Sequence, residues 1–115
     1  MPASSNNVAS RRRRKKVLKM ARGYVGPKSK QIKQAYESVD RAGVFAYRDR
    51  KTKKRNFRNL WIVRINAACR INGISYSRFI SGLHTKKIEI NRKVLADMAI
   101  ADPKSFTKLV ETVKA

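Results

Sequence analysis

Of 115 residues, 29 are Lys or Arg and only 7 are Asp or Glu, a formal net charge of +22. That length allows at most one modest globular domain, and so large a surplus repels itself in a compact monomer, so a counter-charged partner is implied: nucleic acid, an anionic membrane surface or an acidic protein. The single cysteine, Cys69, excludes an internal disulfide, no apolar run approaches the roughly 18 residues that span a bilayer, and no apolar signal core is expected at the start. The surplus is also uneven. Residues 1–58 carry 19 basic and 3 acidic groups, a net of +16, and residues 59–115 carry 10 and 4, a net of +6. The expected organisation is therefore a basic extension, residues 1–58, followed by a small globular domain, residues 59–115.

In chain order, MPASSNNVA contains nothing that could bury area and is expected to be flexible in isolation. Ser10 is a plausible N-cap for a helix over Arg11–Arg22, whose six consecutive cations let it form fully only once their charge is neutralised. Gly23 is a natural stop, and Gly26-Pro27 enforces a break in which Tyr24 could stack on a base. Ser29 can cap a second helix with a stripe of Ile32, Ala35, Tyr36, Val39 and Ala42 or Gly43, where Gly43 could bend the helix or admit another backbone. Val44–Asn72 has no Gly or Pro and reads as one helix with two solvents. Between Arg48 and Arg58 seven of eleven residues are cationic and spread round the circumference, which no protein core accepts. From Leu60 onward apolar residues cover nearly every direction, which predicts burial all round, with Phe57, Trp61 and Ile65 entering one bundle.

Asn72-Gly73-Ile74 predicts a Schellman end, and Ser75 caps a helix burying Phe79, Ile80 and Leu83. After a connector over Thr85–Ile90, Asn91 caps a helix burying Val94, Leu95, Met98 and Ile100. Asp102-Pro103 then opens a last helix burying Phe106, Leu109, Val110 and Val113. The fold class expected is all-α, a long basic helical extension before a small four-helix domain.

Residues for catalysis are sparse. No carboxylate or second histidine stands at a spacing that would orient His84, Cys69 reads as a small core residue in a reducing compartment, and no phosphate loop, Cys-x-x-Cys pair or nucleophile elbow is present. No catalytic residue, metal, cofactor, small-molecule substrate or membrane is expected. The basic runs point instead to RNA: residues 11–33 hold 11 cations and no anion, with Arg suited to bidentate phosphate contact. Tyr24, Tyr36, Phe45, Tyr47 and Phe57 are interleaved with the cations. At helical spacing they read as packing residues first and base platforms second.

The stretches SRRRRKKVLKMARGYVG, FAYRDRKTKKRNFRNLWIVRINAACRINGISYSRFISGL and INRKVLADMAIADPKSF closely resemble the bacterial and organellar large-subunit ribosomal protein twenty family, over residues 8–110. The resemblance implies an extension threaded into large-subunit ribosomal RNA, a small helical domain on an RNA junction, an early role in assembly and no part in peptide bond formation. It implies RNA contacts at Arg11, Arg12, Arg13, Arg14, Lys15, Lys16, Lys19, Arg22, Gly23, Tyr24, Lys28 and Lys30. On the long helix they would fall at Arg48, Arg50, Lys51, Lys53, Lys54, Arg55 and Arg58, and in the globular domain at Asn66, Arg70, Gly73, Ser75, Tyr76, Ser77 and Arg78. Neighbouring large-subunit proteins are further implied partners. Some family members repress translation of their own messenger RNA, and the same surface could do so here.

The alternative is a DNA-binding or nucleoid protein, since a small helical domain with a basic arm describes some of those too. A helix charged round its circumference suits folded RNA better than one groove of a duplex. A membrane-active polycation would need an apolar face that Arg11–Lys16 lacks, and a cleaved targeting peptide fits poorly because the resemblance begins inside that segment. The expected location is a bacterial cytoplasmic ribosome, with an organellar ribosome open.

Overall fold

The computed structural model describes residues 7–115, so the expectation of a flexible start falls outside it for residues 1–6. Its elements are α1 (Asn7–Met20), a short 3-10 turn (Gly26–Ser29), α2 (Ile32–Ile71), α3 (Tyr76–Thr85), α4 (Arg92–Ala101) and α5 (Pro103–Lys114). The fold is all-α, with no strand among the described residues. It divides into two compact units, one ending at Lys51 and the other spanning Thr52–Ala115.

In the first unit α1 starts at Asn7, so Asn7, Val8 and Ala9 are helical and Ser10 lies inside the helix instead of capping it. Arg and Lys are good helix formers, and only their mutual repulsion opposes the helix. Arg11–Lys16 are all exposed, Val17 and Leu18 are half-buried, and Ala21 is fully buried. The helix ends at Met20, two residues before the expected Arg22, and Gly23 closes the turn that follows: it takes φ +88°, which L side chains rarely adopt, and the Tyr24 N–H donates to the Ala21 carbonyl at 3.1 Å. Ser29 does not cap α2. Its hydroxyl donates back to the Gly26 carbonyl at 3.1 Å, closing the 3-10 turn that Gly26 and Pro27 open, and the first carbonyl of α2 belongs to Gln31, which accepts from the Ala35 N–H at 2.8 Å.

The helix expected after Ser29 and the one expected from Val44 are a single α2 of 40 residues. Gly43 sits inside it with nothing within 4 Å of where a Cβ would stand, so no backbone packs there. Of the expected stripe only Ala35 is buried, Ile32 and Val39 are half-buried, and Tyr36 is exposed.

The second unit has a core to which each helix gives two buried residues: Ile65 and Cys69 from α2, Phe79 and Leu83 from α3, Leu95 and Ala96 from α4, Phe106 and Val110 from α5. Phe79 and Phe106 meet with ring centroids 5.3 Å apart at 43°, the tilted geometry aromatic quadrupoles prefer. Burial pushes the Cys69 thiol up to about 11, which keeps it protonated and inert. At Gly82 a Cβ would come within 2.3 Å of Val113 Cγ1, so α3 and α5 approach as closely as they do because no side chain stands there.

The ends of these helices follow local chemistry. The Ile74 N–H reaches the Cys69 carbonyl at 3.0 Å and the Gly73 N–H the Arg70 carbonyl at 3.1 Å, a complete Schellman motif with Gly73 at φ +72°. Ser75 Oγ accepts from the Arg78 N–H at 3.4 Å, Asn91 Oδ1 from the Val94 N–H at 2.9 Å, and Asp102 Oδ1 from the Ser105 N–H at 3.2 Å. The Ser105 hydroxyl and N–H bonds hold the Asp102 carboxyl below its usual range. Two lysines satisfy late carbonyls: Lys114 Nζ donates to the Asn72 carbonyl at 2.6 Å, and Lys86 Nζ donates to that of Thr112.

Burial all round α2 beyond Leu60 is not what forms. Trp61, Ala68 and the buried Ile65 and Cys69 face the core, while Leu60, Val63 (64 % exposed), Ala67 and Ile71 (87 % exposed) point outward. Three short helices can cover only one side of a fourth. Phe57 likewise stays exposed, its ring 6.4 Å from that of Trp61, and Val94 and Ile100 of α4 are exposed instead of buried.

Candidate nucleic-acid interface

Cations dominate the surface of the first unit. Arg11, Arg12, Arg13, Arg14, Lys15, Lys16 and Lys19 stand exposed on α1, Arg22 and Gly23 on the turn after it, and Lys28 and Lys30 about the 3-10 turn, with Tyr24 half-buried between them. On α2, residues 40–51 are exposed without interruption, which includes Arg48, Arg50 and Lys51. The ion pair seen here, Arg48 Nε to Asp49 Oδ1 at 3.1 Å, joins two largely exposed neighbours and neutralises little of that field. Exposure over residues 40–51, about three turns, leaves the cations of this stretch facing solvent on more than one side of α2.

Aromatic rings lie under several of these cations. Arg48 Cζ sits 4.7 Å from the centroid of Phe45, and Lys51 Nζ and Arg50 Cζ sit 4.6 Å and 5.9 Å from that of Tyr47. Phe45 is 50 % exposed and Tyr47 62 %. These rings do not pack into a core, against the first reading of their spacing. Phe45 and Tyr24 instead line an open groove of about 720 Å³ together with Lys28, Gln34, Glu37 and Arg41. Of those six, sequence reasoning singled out Tyr24 and Lys28 as contacts. The signal for the others was the step of three or four residues that puts Gln34, Glu37, Arg41 and Phe45 on one helix face.

In the second unit Lys53, Lys54, Arg55 and Arg58 are exposed on α2, with Lys53 Nζ 6.0 Å from the Phe57 centroid. Farther along, Arg70 is exposed and Asn66 half-buried. At the α2–α3 turn, Gly73 and Ser75 serve the helix ends described above, while Ser77 and Arg78 are exposed in the first turn of α3. Tyr76 is half-buried against the core, its hydroxyl accepting from Arg92 Nε at 2.9 Å. His84 is exposed in the last turn of α3. Among the described residues no three His, Cys, Asp or Glu side chains gather as metal ligands, and no helix is long and apolar enough to cross a membrane.

The model of the ribosomal protein L20 family matches residues 4–109. Large ribosomal subunit protein bL20 of Trichlorobacter lovleyi is 56 % identical over 115 residues, covering 100 % of this chain and 98 % of the relative. The proteins of that name from Geobacter sulfurreducens and Chlorobaculum tepidum are 55 % identical over 115 residues and 54 % over 112, with coverage of at least 97 % on both sides. A full-length match at that identity, onto an all-α chain with this basic surface, leaves one conclusion: the chain belongs to the ribosomal protein L20 family.

Proposed function

We propose that this protein is a structural constituent of the large ribosomal subunit of a bacterium, in its cytoplasm, that binds large-subunit ribosomal RNA directly and supports subunit assembly without catalysing a reaction. The observation that carries the reading is the run Arg11–Lys16, six cations all exposed in a segment, residues 11–33, that has no carboxylate. Cations so placed gain by releasing condensed counterions from a polyanion, and the entropy of that release is the main driving force. Residues 1–58 act as the penetrating extension, ordered by the RNA, and residues 59–115 as the domain that sets its position. Asn66, Arg70 and the Gly73–Arg78 turn supply contacts beside neighbouring ribosomal proteins. Repression of its own messenger RNA is a second use of the same surface.

Salt titration of the full chain on large-subunit ribosomal RNA tests the reading. With about 8 phosphates neutralised, log K falls against log salt with a slope of roughly −6 to −7. A slope near −1, or equal competition by duplex DNA, overturns it.

A further inference from the structure

The groove between Tyr24 and Phe45 has a chemistry that phosphate neutralisation leaves unexplained. At about 720 Å³ it is within the range of pockets that hold a small organic ligand. Beside Gly23, Val25, Ser38 and Ala42, its lining holds two aromatics, two cations, an amide and a carboxylate. Arg48 lies over the Phe45 ring at 4.7 Å from its centroid, yet half of that residue remains open to solvent on the groove it lines. A cation on the far side of a ring strengthens its stacking on a polarisable base. Lys28 and Arg41 suit the phosphates of one nucleotide and its neighbour. Glu37 is out of place for a polyanion, since only 3 acids stand in residues 1–58. A carboxylate beside a phosphate-binding groove makes sense when it accepts hydrogen bonds from a base edge.

Building on the RNA-binding reading above, we propose that this groove holds one unpaired guanine nucleotide of the RNA. Its base stacks on Phe45, its edge donates to the Glu37 carboxylate, and its flanking phosphates lie at Lys28 and Arg41. Guanine is selected because its N1–H and N2–H donors lie side by side and match two carboxylate oxygens. Adenine and cytosine offer one amino group each, and the single N–H of uracil lies between two carbonyls that a carboxylate repels. Tyr24 closes the groove opposite α2, and Gln34, with both a donor and an acceptor, serves the sugar hydroxyls.

The test uses the full chain and fluorescent oligouridines with one central guanine, adenine, cytosine or uracil, followed by anisotropy across a salt series. The guanine probe is expected to bind about tenfold tighter than the uracil probe. Phe45→Leu should remove most of that advantage for any base. Glu37→Gln should bring guanine down to the level of adenine, and neither change should alter the salt slope or the helical circular dichroism. Equal binding of the four probes, a preference for adenine, or a guanine preference that survives both substitutions overturns the proposal. If the probes bind equally but large-subunit ribosomal RNA still gives the steep salt slope, the groove assignment fails alone. If the slope on that RNA is near −1, the RNA-binding reading itself has failed.

Discussion

The two units of this chain are built from the same element and differ in how much of it they bury. In Thr52–Ala115 four helices each turn two residues into a shared dry core. Among the described residues of the unit ending at Lys51 the fully buried hydrophobic ones are the two alanines Ala21 and Ala35, with Val17, Leu18, Ile32 and Val39 half-buried. At about 25 cal/mol per Å² of apolar area, so small an interior offsets little of the entropy of ordering that unit, which on the RNA-binding reading proposed above leaves the counter-charged partner to supply the rest. On that reading the chain divides its stabilisation between an interior it supplies and a polyanion it does not.

Deleting core volume in the second unit should have the largest effect. Phe106 is fully buried and meets Phe79. Phe106→Ala is expected to cost about 3 to 5 kcal/mol, enough to unfold a unit this small, while the helicity that RNA induces in the first unit is retained. Thermal melts with and without RNA check this. If the variant melts like the parent, the core is not where the stability lies.

A smaller loss is expected from overfilling. Gly82→Ala places a methyl group against Val113 Cγ1, a contact relieved only if that side chain changes rotamer or α3 and α5 move apart. Overpacking of this kind costs about 1 to 3 kcal/mol. Denaturant midpoints should therefore fall, and trimming the partner in a Gly82→Ala, Val113→Ala double variant should recover part of the loss. Absence of any recovery would mean that the strain lies elsewhere.

Charge removal should act the other way. Arg50 and Lys54 are exposed, and neither takes part in the core. Arg50→Ala with Lys54→Ala is expected to leave the melting temperature unchanged while the salt slope on ribosomal RNA becomes shallower by about 2. A drop in stability with an unchanged slope would assign these side chains to packing.

What could be read from the chain before the fold was known divides along the same line. Gly73, Ser75, Asn91 and Asp102 were legible as helix ends because a cap is a matter of a few adjacent residues and their own hydrogen bonds. The outward face of α2 at Leu60, Val63 and Ile71 was not, because an apolar helix says that burial is wanted and not how many neighbours exist to provide it. Ser29 was misread because a hydroxyl before a helix can equally close the turn preceding it, as it does on Gly26. On the interface, the cations were plain from charge alone. The groove was not, since Glu37 and Arg41 gain meaning only once Tyr24 and Lys28 stand beside the same face of α2.

The smallest expected effect sharpens the picture of how the second unit ends its helices. After α3 the Ile88 N–H bonds the Leu83 carbonyl at 2.9 Å and the Lys87 N–H that of His84 at 3.1 Å, the same Schellman pattern as at Gly73. Here the left-handed position is held by Lys87, at φ +55°, and a Cβ in that conformation costs roughly 1 to 2 kcal/mol. Glycine would remove that cost but adds freedom to the unfolded chain, worth about 0.4 to 1 kcal/mol in the opposite sense. Lys87→Gly should therefore stabilise the unit by up to about 1 kcal/mol, seen as a small rise in the denaturant midpoint. Lys87→Val should lower it, because a β-branched side chain tolerates positive φ least. Should glycine destabilise and valine be neutral, the backbone at Lys87 is not held left-handed in solution, and the second Schellman end does not form.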